Sequence, residues 1–298
     1  MQTLRTLHWS TWLGWLIESN WANPWLFTLY LVVKPITGSL MLVAMFYAAD
    51  AATVAAGRGN VPAELLPYVY VSNAVFVLVG SVMFGMSNVV TSDRDSYRML
   101  KYIFISPARL QAYFLGRGLA RAMEGIAGAT ITITAGMILP RIRNGITVSQ
   151  IDWLWLAAFL IVGFVMLWAA GMMLASIVLN LSRSAGFLSE GIAGVVYFLS
   201  GVLFPLAILP TWLENVGRCL PTTYWLEGMR RALIGLPQNI TLPDGTVLIP
   251  TFDGWSNLHL LMMLAVTTAG LVVVAQIVYH RSVRKAWRNG KIEETTGM

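Results

Sequence analysis

"FLSGVLFPLAILPTWLENVGRCLPTTYWLEGMRRALIG", residues 198–235, begins as an apolar run fit for lipid and ends as two short stretches that mix apolar with charged residues. Prolines at 205, 210 and 221 interrupt it. Thr211 and Glu214 have the Thr-x-x-Glu spacing of a capping box, so a short helix is predicted to start there. Trp212, Leu213, Val216 and Leu220 then share one stripe of a 3.6-residue helix, and Pro221 is expected to end it. Trp225, Leu226, Met229 and Leu233 repeat those offsets, with Glu227, Arg230 and Arg231 off the stripe and a stop signal in Gly235 and Pro237. Neither piece is long enough to cross a bilayer, which takes about 20 mainly apolar residues. Either the pair dips into or lies on a membrane and caps a pathway, or it is an interfacial loop with aromatic anchors. Irregular backbone at membrane depth is tolerated only when buried in protein or facing a watery cavity.

The rest of the chain is read with the same ruler. Of 298 residues, 57% are hydrophobic and 11% charged, with a mean hydropathy of +0.66; soluble domains carry about a quarter charged residues. This composition predicts an all-α membrane protein forming a single transmembrane domain over 1–298. Six spans are expected, at 27–48, 68–90, 114–139, 153–179, 188–209 and 258–280. Ahead of them, Trp9, Trp12, Leu13, Leu16 and Ile17 recur at helical spacing near Arg5, Glu18 and Asn20, which predicts an interfacial helix within 1–25. Of the 12 tryptophans, Trp168 alone falls well inside an expected span, as an aromatic belt requires.

The net charge of +6 belongs to the membrane rather than to nucleic acid, because the basic residues collect beside apolar runs. Arg5, Arg94, Arg98, Lys101, Arg109, Arg183, Arg281, Arg284, Lys285, Arg288 and Lys291 fall on one side; Arg58, Arg141, Arg143, Arg218, Arg230 and Arg231 fall on the other. The larger set marks the cytoplasm. Both termini, including the tail 281–298, are therefore expected inside, with the hairpin 210–236 outside. A cleaved leader is not expected, since no compact apolar core precedes a small-residue cleavage site. Cys219 is the sole cysteine, which excludes an intrachain disulfide, and His8, His259 and His280 are scattered. No metal site is expected.

The run Phe204-Pro205, Leu209-Pro210-x-Trp212-Leu213, Leu220-Pro221 and Glu227-Gly228-x-Arg230 resembles the membrane subunit of type-2 ABC exporters. That resemblance implies six spans, an extracellular helical hairpin before the sixth, and a dimer working with separate ATPase subunits. A second stretch bears on it: "TSDRDSYRMLKYIFISPARLQ", residues 91–111. Read as a helix, Arg94, Arg98 and Lys101 share a face while Tyr97, Leu100 and Phe104 form an apolar stripe beside it. By itself that suits either a bridge to a soluble partner or a solvated loop that serves topology alone. In the family such a loop docks on the ATPase, and Asp93-Arg94-Asp95 and Ser106-Pro107 match its outline. Tyr97-Arg98 stands where the family has a Gly-Thr-type step, so the partner ATPase is expected to belong to a distinct subgroup. The resemblance thus implies coupling roles for Asp93, Arg94, Asp95, Arg98, Lys101, Ser106 and Pro107 in a loop spanning 91–110. It also implies an outer gate built from Phe204, Pro205, Pro210, Trp212, Pro221, Glu227 and Arg230.

Ionisable residues inside spans are functional candidates by default. Lys34 precedes Pro35 in the first span; Arg117, Arg121 and Glu124 lie early in the third, and Glu190 opens the fifth. Arg117, Arg121 and Glu190 stand near cytoplasmic ends, where long side chains snorkel, and Arg121 and Glu124 are spaced to pair. Structural roles are expected, with Glu124 and Glu190 the hardest to set aside. Gly116, Gly118, Gly125, Gly128 and Ala129 offer a close-packing surface, within the subunit or at a dimer seam. Sequons occur at Asn180 and Asn239.

No G-x-x-x-x-G-K-[ST], H-E-x-x-H or G-x-S-x-G sequence is present, so ATP and magnesium are expected on a partner chain and not here. The expected function is ATP-driven export of a hydrophobic or amphipathic small molecule, drug, antibiotic or lipid, by two copies of this chain or by this chain and a homologue. Export of a polysaccharide or lipid-linked glycan is the alternative. A secondary transporter would show inverted repeats with broken helices, and none is detected; a membrane enzyme would show a catalytic cluster.

Overall fold

The computed structural model describes residues 2–19, 23–107, 109–143, 145–146, 148–181, 185–235, 240–241, 247–248 and 250–290. Asn20, Arg183, Pro237, the sequon at Asn239 and the tail from Lys291 onward lie outside the described residues. The architecture is helical: α1 (Gln2–Ser19), α2 (Pro24–Ala55), α3 (Leu65–Ser96), α4 (Leu100–Ile105), α5 (Leu110–Gly136), α6 (Trp153–Val178), α7 (Ala185–Leu199), α8 (Thr211–Cys219), α9 (Pro221–Ile234) and α10 (Asn257–Arg288). A two-residue antiparallel pair, Ile240–Thr241 with Val247–Leu248, sits between α9 and α10.

Four of the helices, α2, α3, α6 and α10, are long and apolar enough to cross a membrane. They match four of the six expected spans. A helix, α5, covers the third expected span, but with Arg117, Arg121 and Glu124 in its first half it is not among the four apolar enough to cross by that measure. The fifth differs. A span over 188–209 was expected, but α7 stops at Leu199 after 15 residues, about 22 Å of helix. Gly201 turns the chain with φ +72, and the remainder runs through Pro205 into a short 3₁₀ turn at Leu206–Ile208.

α3 is the central helix. It packs against α2, α5, α6 and α9, and two of its turns, Gly80–Phe84 and Ser92–Ser96, are π-helical. Around its first half lies a core of Tyr70, Val75, Phe159, Trp225 and Leu226, and around its end a second core of Met86, Val90, Phe114, Met172 and Tyr279. Polar side chains tie neighbouring helices together: Asn73 of α3 donates to Ser39 of α2 at 2.9 Å and accepts from Tyr197 of α7 at 3.2 Å. By contrast α2 and α10 are mostly exposed, with Leu29, Met41, Val266 and Val273 facing outward, as lipid-facing helices do.

The N-terminal helix packs on the bundle through one face. Its apolar stripe is exposed as anticipated, Trp9 at 63% and Trp12 at 53%, yet the opposite small face, Ser10 and Gly14, packs against α5. A Cβ at Gly116 would overlap the Ser10 side chain, and Gly118, Gly125 and Gly128 likewise face Met86, Ser81 and Val77. These small residues of α5 therefore serve contacts inside the subunit.

The hairpin corrects three expectations. Thr211 is the first helical residue and Pro210 the cap, with no side-chain capping bond; Glu214 pairs instead with Arg218 at 2.6 Å. Pro221 does not close α8, which ends at Cys219, but opens α9 at its first position, where its missing N–H costs nothing. Most importantly α9 has no wet face: Thr222 through Leu233 are all buried. It is wedged between α3, α6 and α10. Gly163 of α6 and Gly228 of α9 allow this approach, because a Cβ on the first would overlap the Trp225 indole and a Cβ on the second the Phe159 ring. Trp225 Nε1 donates to the Phe159 carbonyl at 3.0 Å, which satisfies the buried indole.

Candidate functional site

Burying α9 forces its charges to find partners. Glu227, Arg230 and Arg231 occur at i, i+3 and i+4, so one carboxylate can reach two guanidiniums. Its Oε2 accepts from Arg230 at 2.8 Å and its Oε1 from Arg231 at 3.0 Å. One positive charge is left over. It is spread over oxygen acceptors: Arg230 donates to Ser72 Oγ at 3.0 Å and the Gly201 carbonyl at 2.8 Å, and lies 4.2 Å from the Tyr68 ring centroid. Arg231 donates to the carbonyls of Trp255 at 2.5 Å and Phe252 at 2.8 Å. Each of the three residues is 5% exposed. The cluster joins α3, the turn after α7, α9 and the segment before α10.

A second buried cluster sits at the other end of α3. Asp93 is fully buried and accepts from the Tyr113 hydroxyl at 2.5 Å and from Arg117 Nη2 at 3.3 Å. Arg94, 3% exposed, donates to the Leu181 carbonyl at 3.0 Å and pairs with Asp95 at 3.2 Å. Arg117 does not snorkel; it is 2% exposed. Then the chain turns outward. Arg98 takes φ +51, and α4 follows with Leu100 buried as its anchor and Tyr102 and Ile105 exposed at 61% and 74%. Arg98, Lys101 and Pro107 are exposed and Ser106 is half-buried. The expected common face of Arg94, Arg98 and Lys101 does not exist, because the π turn and the positive φ break the helix between them.

Of the gate candidates, Pro205, Glu227 and Arg230 are buried, whereas Pro210 and Trp212 are exposed and Phe204 packs edge-on against Phe198 at 5.4 Å. Pro221 is half-buried at the start of α9. Among the intramembrane candidates, Arg121 bridges Glu18 at 2.8 Å and Glu124 at 3.1 Å. Burial pushes the Glu18 carboxyl above its ordinary range, against the opposing pull of Arg121 and Arg117. Glu18, Arg121 and Glu124 line a cleft with Tyr30, Lys34 and Asn88. Glu190 is exposed on α7 and enters no ion pair among the described residues. No cluster able to hold a metal occurs among the described residues.

Sequence reasoning missed Tyr113, Tyr68, Ser72 and the carbonyls of residues 181, 201, 252 and 255. Only the Glu227 spacing carried a signal. Apolar helices braced at both ends by desolvated ion pairs define a multi-pass membrane protein. The sequence signature of the ABC-2 type transporter family matches residues 4–234, from α1 to the end of α9, and the chain belongs to that family as a type-2 ABC transporter permease. Permeases of this family work with an ABC ATPase subunit, generally as dimers. No curated protein matches the chain.

Proposed function

We propose that this chain is the membrane half of an exporter that moves a hydrophobic or amphipathic small molecule or a lipid out of the cytoplasm, driven by two separate ATPases. Two copies, or this chain with a homologue, form the pathway in the plasma membrane, both termini inside in keeping with the Lys and Arg distribution. The observation that carries this reading is the contrast across residues 93–105. Exposed Arg98, Lys101, Tyr102 and Ile105 offer a charged and apolar docking face, and immediately before them Asp93 and Arg94 are bolted into the bundle. A push on α4 is delivered through Asp93 to α5 and through Arg94 to the segment after α6. Coupling through a packed, hydrogen-bonded connection of this kind is what an ATPase needs to bend the membrane helices.

Asp93, Arg94 and Asp95 transmit in this scheme, while Arg98 and Lys101 touch the partner. Phe204, Pro210 and Trp212 remain as the movable part of the outer gate, and Glu227 and Arg230 hold the frame against which it moves. The test is charge reversal at both exposed cations, R98E with K101E, in vesicles holding the chain and its co-expressed ATPase. ATP hydrolysis is expected to lose its dependence on the permease while the permease stays folded. Unaltered coupling removes the docking role.

A further inference from the structure

Gly38 of α2 and Gly80 of α3 are small without a neighbour that requires it: a Cβ on either meets no atom within 4 Å. Each lies inside a long helix, where glycine is about 1 kcal/mol worse than alanine. What they share is a cleft of about 310 Å³ between α2, α3 and α5. One stretch of its wall is apolar, formed by Leu31, Pro35, Phe76 and Val77; the other is polar, with Lys34, Asn88, Arg121 and Glu124. Pro35 has no N–H to offer, so the Leu31 carbonyl loses its helical donor and adds an acceptor to the wall.

The polar end holds two cations, Lys34 and Arg121, and two carboxylates, Glu18 and Glu124, but the carboxylates are unevenly placed. Arg121 is held by two carboxylates. Lys34 donates to the Tyr30 hydroxyl at 2.6 Å, and among the described residues no carboxylate lies within 4 Å of its ammonium. It stands ten residues, about 15 Å, into a membrane helix, exposed and with no carboxylate in direct contact, at a depth where charge is expensive. An anion at that spot gives the ammonium the direct partner that both carboxylates give Arg121, and the slot beside it accepts hydrocarbon.

The geometry points to a binding site for an anionic amphiphile: its phosphate or carboxylate on Lys34 beside Tyr30 and Asn88, its hydrocarbon chain in the space that Gly38 and Gly80 leave open. The site goes beyond the exporter reading and stands without it, since occupancy is an equilibrium with the bilayer and needs neither ATP nor a partner. Bilayer phospholipids and single-chain anionic cargo have this chemistry in common.

The test uses the full chain in phosphatidylcholine nanodiscs doped with phosphatidylglycerol that carries a photoactivatable acyl chain. Crosslinks are expected on α2 and α3 around Gly38 and Gly80. K34Q should lower their yield about tenfold, the loss of one charge-assisted contact, and K34R should restore most of it. G80L should abolish the acyl crosslink even from a phosphatidylcholine probe, whereas G38A, which has room, should retain it; a melting curve like the parent's shows that each variant is folded. Displacement by dodecyl phosphate supports a site open to single-chain anions, and crosslinking that dodecyl phosphate fails to displace supports a two-chain lipid as the occupant. Displacement by inorganic phosphate as effective as that by dodecyl phosphate overturns the amphiphile. Equal yield from K34Q, or crosslinks confined to the outer face of α10, overturns the site.

Discussion

Alanine at Glu227 removes the carboxylate that two buried guanidiniums share, and the cost can be worked from their remaining partners. Breaking a buried ion pair by deleting one member costs about 3–5 kcal/mol, because the other charge is stranded. Here neither arginine is stranded completely. Arg230 keeps Ser72 and the Gly201 carbonyl, and Arg231 keeps the carbonyls of Phe252 and Trp255, which places E227A near the lower bound, ~3 kcal/mol. Glutamine retains a neutral acceptor for one of the two and should cost about half as much. At roughly 2–4 °C per kcal/mol for a chain of this order, E227A should lower the melting midpoint by about 6–12 °C. The assay is thermal unfolding of the full chain in detergent, followed by tryptophan fluorescence, with E214A as the control: in the Glu214–Arg218 pair the arginine is 44% exposed, and such surface pairs contribute about 0–1 kcal/mol. Replacing Glu227, Arg230 and Arg231 together by Leu, Met and Met should recover part of the loss, since apolar packing tolerates what an unpaired charge does not. If E227A melts with E214A, the cluster carries no structural load and the reasoning fails.

The opposite cluster gives a parallel expectation. D93N should cost about 3 kcal/mol by stranding Arg117, two of whose nitrogens already lack partners, and Y113F about 1.5–3 kcal/mol for one hydrogen bond to a charge; wild-type melting of both would refute the contacts. G163A should separate α6 from α9 at about 1–3 kcal/mol and shift the emission of the buried Trp225, whereas G38A, with no neighbour to meet, should gain about 1 kcal/mol of helix propensity and melt slightly above the parent. Glu18 makes a pH prediction. Burial raises its carboxyl above the ordinary 4.5, so the folded chain binds that proton more tightly than the unfolded one, and stability falls as pH rises from 4.5 through the raised value. E18Q should remove this slope; a difference curve between parent and E18Q that is flat with pH would refute it.

Span-length apolar runs were legible because the bilayer sets a ruler that composition obeys, and α2, α3, α6 and α10 followed it. The hairpin too was visible in Pro210, Pro221 and Gly235, which bound α8 and α9 as punctuation should. Its depth was not. A 3.6-residue stripe reports the greasiest face of a helix and says nothing about whether the other face is wet, so Glu227, Arg230 and Arg231 read as solvent-facing when their solvent is Gly201, Phe252 and Trp255. At Arg94, Arg98 and Lys101 the periodic reading failed for a different reason: a π turn adds a residue to the turn and the positive φ at Arg98 redirects the chain. Asp93 with Tyr113 and Arg117 left no local trace, since partners 20 and 24 residues apart meet only once α3 and α5 are packed.

The Glu227 cluster also dictates an order of assembly during synthesis. The groups that receive Arg230, namely Tyr68, Ser72 and Gly201, emerge from the ribosome before it, whereas those that receive Arg231 emerge as many as 24 residues after it. Until residue 255 has been made, Arg231 entering the bundle with α9 would have only the Glu227 carboxylate, which it shares with Arg230. A truncation after Ile234 should therefore leave this helix at the aqueous boundary and open to protease, and the nascent protein acquires its final shape only when the last membrane helix is already on its way.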